Sequence, residues 1–153
     1  MKRVLAFGVF DLLHPGHIRL LKAARKLGDQ LLVGLLYDYP VELRKGPDRP
    51  IQPYEDRKEI LEALDCVWSV HGMTSFNPKG LLKALDLFFG DDHYGTNSVS
   101  VVVHGDDWDF IPGSKYCEDR GIEVVTLPYS KEYSTSKLIN KIRSWIRGRS
   151  IEI

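Results

Sequence analysis

The chain has 153 residues, with 21 Lys and Arg against 21 Asp and Glu, so its formal net charge is zero. That balance argues against a protein that coats nucleic acid or inserts into an anionic membrane by bulk electrostatics. The length fits one domain, read as 1–153, able to bury a core without disulfide or metal staples. No apolar run approaches the roughly 18 residues of a spanning helix. The only cysteines, Cys66 and Cys117, have no metal-ligand spacing, and a reducing, cytoplasmic setting is expected.

In chain order, short apolar runs alternate with helix-length segments. Strands are expected at Arg3–Phe7, Gln30–Leu36, Val67–Val70, Ser100–His104 and Glu123–Leu127. They are Val- and Leu-rich without strict polar alternation, as strands covered on both faces are. Helices are expected at Gly16–Leu27, Tyr54–Leu64, Lys79–Leu85, Ser114–Arg120 and Ser136–Arg147. The last carries Leu138, Ile139, Ile142 and Ile146 as an apolar stripe opposite Lys137, Lys141, Arg143 and Arg147, and reads as a core helix with a solvated face. Residues 86–97 fit neither pattern and read as a surface insertion, and 148–153 as a short tail. The alternation predicts an α/β fold, a doubly wound parallel sheet of about five strands with right-handed crossovers. Ligands of such sheets bind at the carboxyl ends of the strands, which puts weight on the loops at 8–17, 37–57 and 104–108.

The first of these, Gly8-Val9-Phe10-Asp11-Leu12-Leu13-His14-Pro15-Gly16-His17, leads from a strand into a helix that Pro15 and Gly16 open. His14 and His17 flank a helix N-terminus, where free N–H groups and the dipole attract anions. Imidazoles there can donate to a polyphosphate or to charge developing in a transition state, and a bound phosphate would favour their protonated forms. Alone, two histidines three apart read equally as surface residues at a turn.

The full string, GxFDxxHxGH after a strand, resembles the cytidylyltransferase-like nucleotidyltransferases. Tyr54-Glu55-Asp56-Arg57 is similar to the family's YExR helix start. Gly105-Asp106-Asp107-Trp108 matches GDDW of the bacterial glycerol-3-phosphate cytidylyltransferase group, and Leu127-Pro128 followed by Ser134-Thr135-Ser136 falls where that group has LPRTEGISTT. The resemblance covers most of the chain. It implies a Rossmann-like sheet of HxGH architecture and a homodimer. It also implies transfer of a nucleotidyl group from CTP, with Mg²⁺, to a small phosphorylated alcohol or phosphonate, releasing pyrophosphate.

On that resemblance, His14, His17, Lys45 and Arg57 are the expected catalytic residues, Arg57 as a donor to the phosphates. Gly8, Val9, Phe10, Asp11, His14, Gly16, His17, Asp106, Asp107, Ser134, Thr135 and Ser136 are expected to bind the nucleotide. Asp11 orients either its own loop or a Mg²⁺ ion; the Ser134–Ser136 hydroxyls either cap the last helix only or bind phosphate as well. Arg44 and Lys79 are expected at the acceptor. Trp68, where relatives carry an acid, is either an acceptor-site wall or a core or interface aromatic. No residue is assigned as a protein-held metal ligand. Two departures stand out: Tyr129 replaces the arginine of RTEGIST and Glu132 its glycine. An adenylyltransferase of the FMN, heptose-phosphate or pantetheine-phosphate type, using ATP, and a catalytically silent nucleotide-binding module are the competing readings. A class I aminoacyl-tRNA synthetase is excluded by length and by the lack of a basic RNA-binding face.

Overall fold

The computed structural model describes residues 1–89, 98–106 and 110–148. Its elements are β1 (Arg3–Gly8), α1 (Pro15–Arg25), β2 (Gln30–Leu36), α2 (Asp38–Lys45), α3 (Tyr54–Glu62), β3 (Ser69–Met73), α4 (Lys79–Phe89), β4 (Val101–Gly105), α5 (Ser114–Asp119), β5 (Glu123–Leu127) and α6 (Thr135–Arg147). The five strands form one parallel sheet in the order β3-β2-β1-β4-β5. The chain winds outward from β1 to one edge and then returns to its other side at β4. The topological switch therefore lies between the carboxyl ends of β1 and β4, the place where such sheets bind ligands.

The central strands β2, β1 and β4 are buried on both faces, and β1 shows how. Val4 and Ala6 join a cluster with Leu21, Leu31, Val33 and Leu61, while Leu5 and Phe7 join a second one with Leu32, Leu36, Leu82 and Val102. Successive side chains point to opposite faces, so a continuous apolar run serves two cores. Each fully buried Leu or Val contributes about 1.5–3 kcal/mol of transfer free energy.

Four expectations need correction. Residues 38–45, expected as loop, form α2: Pro40 sits in its first turn, where Pro is tolerated, and only Val41 is buried, so no apolar stripe announces the helix. The third strand runs Ser69–Met73 rather than Val67–Val70; it is an edge strand burying only Val70 and Met73, and His71-Gly72 masks the pattern. Residues 86–89, placed in the insertion, continue α4, while 90–97 lie outside the described residues, as do 149–153 of the expected tail. Finally, α6 is not a core helix. None of its residues is buried, and Ile142, Trp145 and Ile146 stand exposed. No helix among the described residues is long and apolar enough to cross a membrane.

Candidate active site

Between the carboxyl ends of β1 and β4 the structure opens a cavity of about 260 Å³. Gly8, Val9, Phe10, Asp11 and His17 line it from the first loop and helix, Lys45 from α2, His104 and Gly105 from β4, and Ser134, Thr135 and Ser136 from the start of α6. Four segments distant in sequence thus converge at the switch point. Arg49 and Tyr129 line it as well. The motifs single out neither of these two, nor His104, as a site residue: Arg49 lies in a proline-rich loop, His104 looks like the tail of a strand, and Tyr129 stands out only as a departure.

The first loop is held under strain. Phe10 and Leu12 both have φ of 50°, the left-handed region that costs a non-glycine residue about 1 kcal/mol or more. Asp11 fixes it in place. Its buried carboxylate accepts from the Ile51 and Gln52 amides at 2.8 and 3.0 Å and from Arg49 Nε at 3.2 Å. Gln52 Oε1 accepts from the Leu12 amide at 2.9 Å, and Thr135 Oγ1 donates to the Asp11 carbonyl at 2.7 Å. Of the two roles open to Asp11, the geometry shows loop orientation.

Arg57 does not point at the cavity. It is fully buried, donating from Nε to the Gln52 carbonyl at 2.9 Å, from Nη1 to the Val9 carbonyl at 2.7 Å and from Nη2 to Asp38 at 2.6 Å. The expected phosphate donor is a brace that ties α3 to the first loop and α2. Among the described residues, Lys45 and Arg49 are the Lys and Arg side chains that line the cavity.

The two histidines stack, their ring centroids 3.8 Å apart and 20° from parallel. His14 is the N-cap of α1: its Nδ1 accepts from the Gly16 amide at 3.1 Å. Gly16 is required by this ring, because a Cβ there would meet His14 Cε1 at 2.9 Å. His17 lies deeper, and its Nδ1 is buried without a hydrogen-bond partner. That leaves Nε2 as the atom through which the ring can meet a ligand. A buried polar atom left unpaired is costly, and such costs concentrate at functional sites.

Burial, then His14 and then Lys45, hold the His17 pKa down to about 3. Burial lowers that of His14. The empty site therefore holds a neutral His17 at pH 7. A folded-state pKa below the ordinary 6.5 means the unfolded chain takes up the proton first. The stability His17 contributes is complete above pH 6.5 and lost as pH falls from there toward about 3. Urea midpoints should correspond to a loss of about 2 kcal/mol from this residue between pH 7 and pH 5, and His17→Asn should flatten the wild-type slope by that amount.

The remaining expected residues divide. Ser134 caps α6, accepting from the Lys137 amide at 3.1 Å. Asp106 does not line the cavity but accepts from the Tyr129 amide at 2.9 Å, which positions that residue; Asp107 lies outside the described residues. Arg44 stacks on Phe76, its Cζ 4.4 Å from the ring centroid, and Phe76 lines the cavity. Lys79 lines a neighbouring cavity of about 510 Å³ with Ser75, Asn77 and Lys83. Of the two readings open for Trp68, the structure removes the acceptor wall. Trp68 precedes β3, its amide donates to the Leu31 carbonyl at 2.8 Å, and its ring meets Phe89. It stands at the amino end of the sheet, opposite to the cavity, and is no acceptor wall.

The described residues do not build a Mg²⁺ cage. Asp11, the only carboxylate lining the cavity among the described residues, is engaged by three donors. Among the same residues no group of three or more His, Cys, Asp or Glu is placed to hold a metal.

A strained strand-to-helix loop carrying stacked histidines at the switch point agrees with the family profile for cytidylyltransferase-like proteins, which matches residues 5–144. The chain belongs to the cytidylyltransferase-like family. It is thus of the nucleotidyltransferase superfamily in sequence as well as fold. Relatives include "Bifunctional protein HldE" of Hydrogenovibrio crunogenus, 37% identical over 93% of this chain, and that of Escherichia coli, 34% identical over 96%. This cytidylyltransferase-like chain spans only 28% and 29% of their lengths. Among solved structures, the lipopolysaccharide core biosynthesis protein of Thermoplasma volcanium is 28% identical with a TM-score of 0.59, covering 88% of this chain and 99% of that one. A Vibrio parahaemolyticus protein described as a nicotinate-nucleotide adenylyltransferase shares the fold at 14% identity and TM-score 0.62, covering 95% of this chain and 89% of that one.

Proposed function

We propose that this chain moves a nucleotidyl group from a nucleoside triphosphate to a small phosphorylated acceptor. An acceptor phosphate oxygen attacks the α-phosphorus in line, the bond to the β-phosphate oxygen breaks, and pyrophosphate leaves with the electron pair. No covalent enzyme intermediate is needed, so catalysis is positioning and charge stabilisation. The observation that carries this reading is the cavity at the switch point. There His17, Lys45, Arg49 and the Ser134–Ser136 segment face one space beside the N-terminus of α1. A triphosphate there meets cations and donors from several elements, and its charge favours the protonated form of His17 that the empty site disfavours. Mg²⁺ would enter with the triphosphate rather than be held by a protein cage.

ATP is the first nucleotide to test. Tyr129 stands where the CTP-using glycerol-phosphate group has an arginine, and HldE proteins rather than that group supply the relatives described above. CTP is the second, favoured by the Gly105-Asp106-Asp107-Trp108 string. For the acceptor phosphate, Lys79 and Arg44 remain the proposed cations, on either side of Phe76 in sequence, with Arg44 stacked on its ring.

The deciding experiment is pyrophosphate release with ATP and with CTP against a panel of sugar phosphates, alcohol phosphates and phosphonates. Release that needs both a nucleotide and one acceptor, with ATP preferred, is expected. Release with CTP and glycerol 3-phosphate as the best pair would overturn the ATP preference. No release with any pair would favour a silent nucleotide-binding module.

A further inference from the structure

The turn after α2 carries Arg49, which no motif singles out, to the wall of the cavity. Its backbone explains the approach. Gly46 ends α2 with φ of 98°, a conformation that favours glycine, and the Arg49 amide donates to the Gly46 carbonyl at 3.1 Å. Pro47 and Asp48 stand exposed on this turn, while Arg49 comes back inward with 13% of its side chain exposed.

The guanidinium is held at one corner. Its Nε donates to Asp11 Oδ2 at 3.2 Å, and among the described residues that is the contact its side chain makes. An arginine facing a carboxylate commonly forks onto it through two parallel N–H donors. Here one donor is spent, and the Ile51 and Gln52 amides take up the same carboxylate. Both Nη groups of Arg49 are left without an acceptor among the described residues, on a side chain that lines the cavity. Asp11, at 1% exposure, is a carboxylate on the wall of a space read as holding a polyanion. Alone it would repel phosphate. With Arg49 beside it the pair is neutral, and the uncommitted edge of the guanidinium makes the same wall a donor. Because the guanidinium is a rigid plane, fixing Nε also fixes the direction of both Nη groups. A lysine could cancel the Asp11 charge but could not serve two partners from one fixed plane.

We propose that Arg49 grips the triphosphate, donating from both Nη groups to phosphate oxygens while Nε stays on Asp11, and that Asp11 is the positioning residue for Arg49. This rests on the nucleotidyltransferase reading of the cavity. It moves the guanidinium contact expected of Arg57 to the neighbouring loop. Arg49 makes and breaks no covalent bond; it places the phosphates and carries part of their charge.

The experiment is calorimetric titration of the full chain with inorganic triphosphate in wild type, Arg49→Lys and Arg49→Ala, with thermal melts to verify folding. Arg49→Lys keeps a cation beside Asp11 and should still weaken triphosphate at least about tenfold, the usual loss for a hydrogen bond to a charged group. Arg49→Ala should weaken it further, and added ethylguanidinium should recover binding saturably in that variant, which a purely structural role for the side chain would not allow. In turnover, Arg49→Lys should raise the nucleotide KM and leave the acceptor KM unchanged. Wild type that does not bind triphosphate, Arg49→Lys binding within about threefold of wild type, or a folded Arg49→Ala that ethylguanidinium does not rescue would overturn the proposal. If Arg49→Ala does not fold, Arg49→Lys decides alone. Triphosphate binding in the expected order with no pyrophosphate released from any pair would overturn the transferase reading and leave Arg49 assigned. Transfer with an unchanged nucleotide KM in Arg49→Lys would do the reverse.

Discussion

Replacing His17 with asparagine is expected to lower kcat by a factor of about 10² to 10³ while the protein stays folded. The magnitude is that of losing one preorganised donor to developing charge. The position of His17 suits this role, because it lines the cavity at the opening turn of α1 and its Nδ1 has no partner to hold it elsewhere. The stability side of the prediction follows from the same facts. Even neutral, an imidazole with a buried nitrogen that has no partner gains little from its burial. Its loss should therefore change the unfolding free energy at pH 7 by no more than about 1 kcal/mol, as at other sites where function and stability trade against each other. A variant with wild-type turnover would remove His17 from the chemistry.

Arg57 should behave in the opposite way. Arg57→Ala strips donors from the Val9 and Gln52 carbonyls, unpairs Asp38 and leaves a void where a fully buried side chain had been. Removing one member of such an arrangement costs about 3–5 kcal/mol. The loss should show in the denaturant midpoint before any kinetic measurement. Because Val9 belongs to the strained loop, surviving activity should fall through poorer nucleotide binding, read as a raised KM. If Arg57→Ala folds with wild-type stability and loses only kcat, Arg57 is a phosphate ligand after all and not a brace.

The contrast between these two residues shows what a sequence can convey. The strands β1, β2 and β4 are legible because each is a short apolar run in the covered centre of the sheet, and β5 because Val124, Val125 and Leu127 keep such a run at its edge. The HxGH loop is legible because the full string, a strand end followed by GxFDxxHxGH and a helix, carries a resemblance that two histidines at a turn do not. Arg57 is legible as important but not in its role: nothing in YEDR says whether a guanidinium faces phosphate or three internal acceptors. Trp68 is easily misjudged because its end of the sheet depends on where β3 begins, and the broken pattern of an edge strand hides that. Helix α2 escapes notice because one buried valine makes no period. The pairing of Tyr129 with His14 spans 115 positions, and only folding brings them together. The exposed apolar face of α6 looks like core because periodicity reports which residues share a face, not what that face meets.

The most direct test of the central claim follows the phosphorus. With nucleotide labelled at the α-phosphate and an acceptor that supports pyrophosphate release, the label should appear in the acceptor product, with none retained on denatured protein and none in the pyrophosphate. Label transferred from the γ-position, or α-label covalently held by the chain, would contradict a single in-line nucleotidyl transfer at the cavity between β1 and β4.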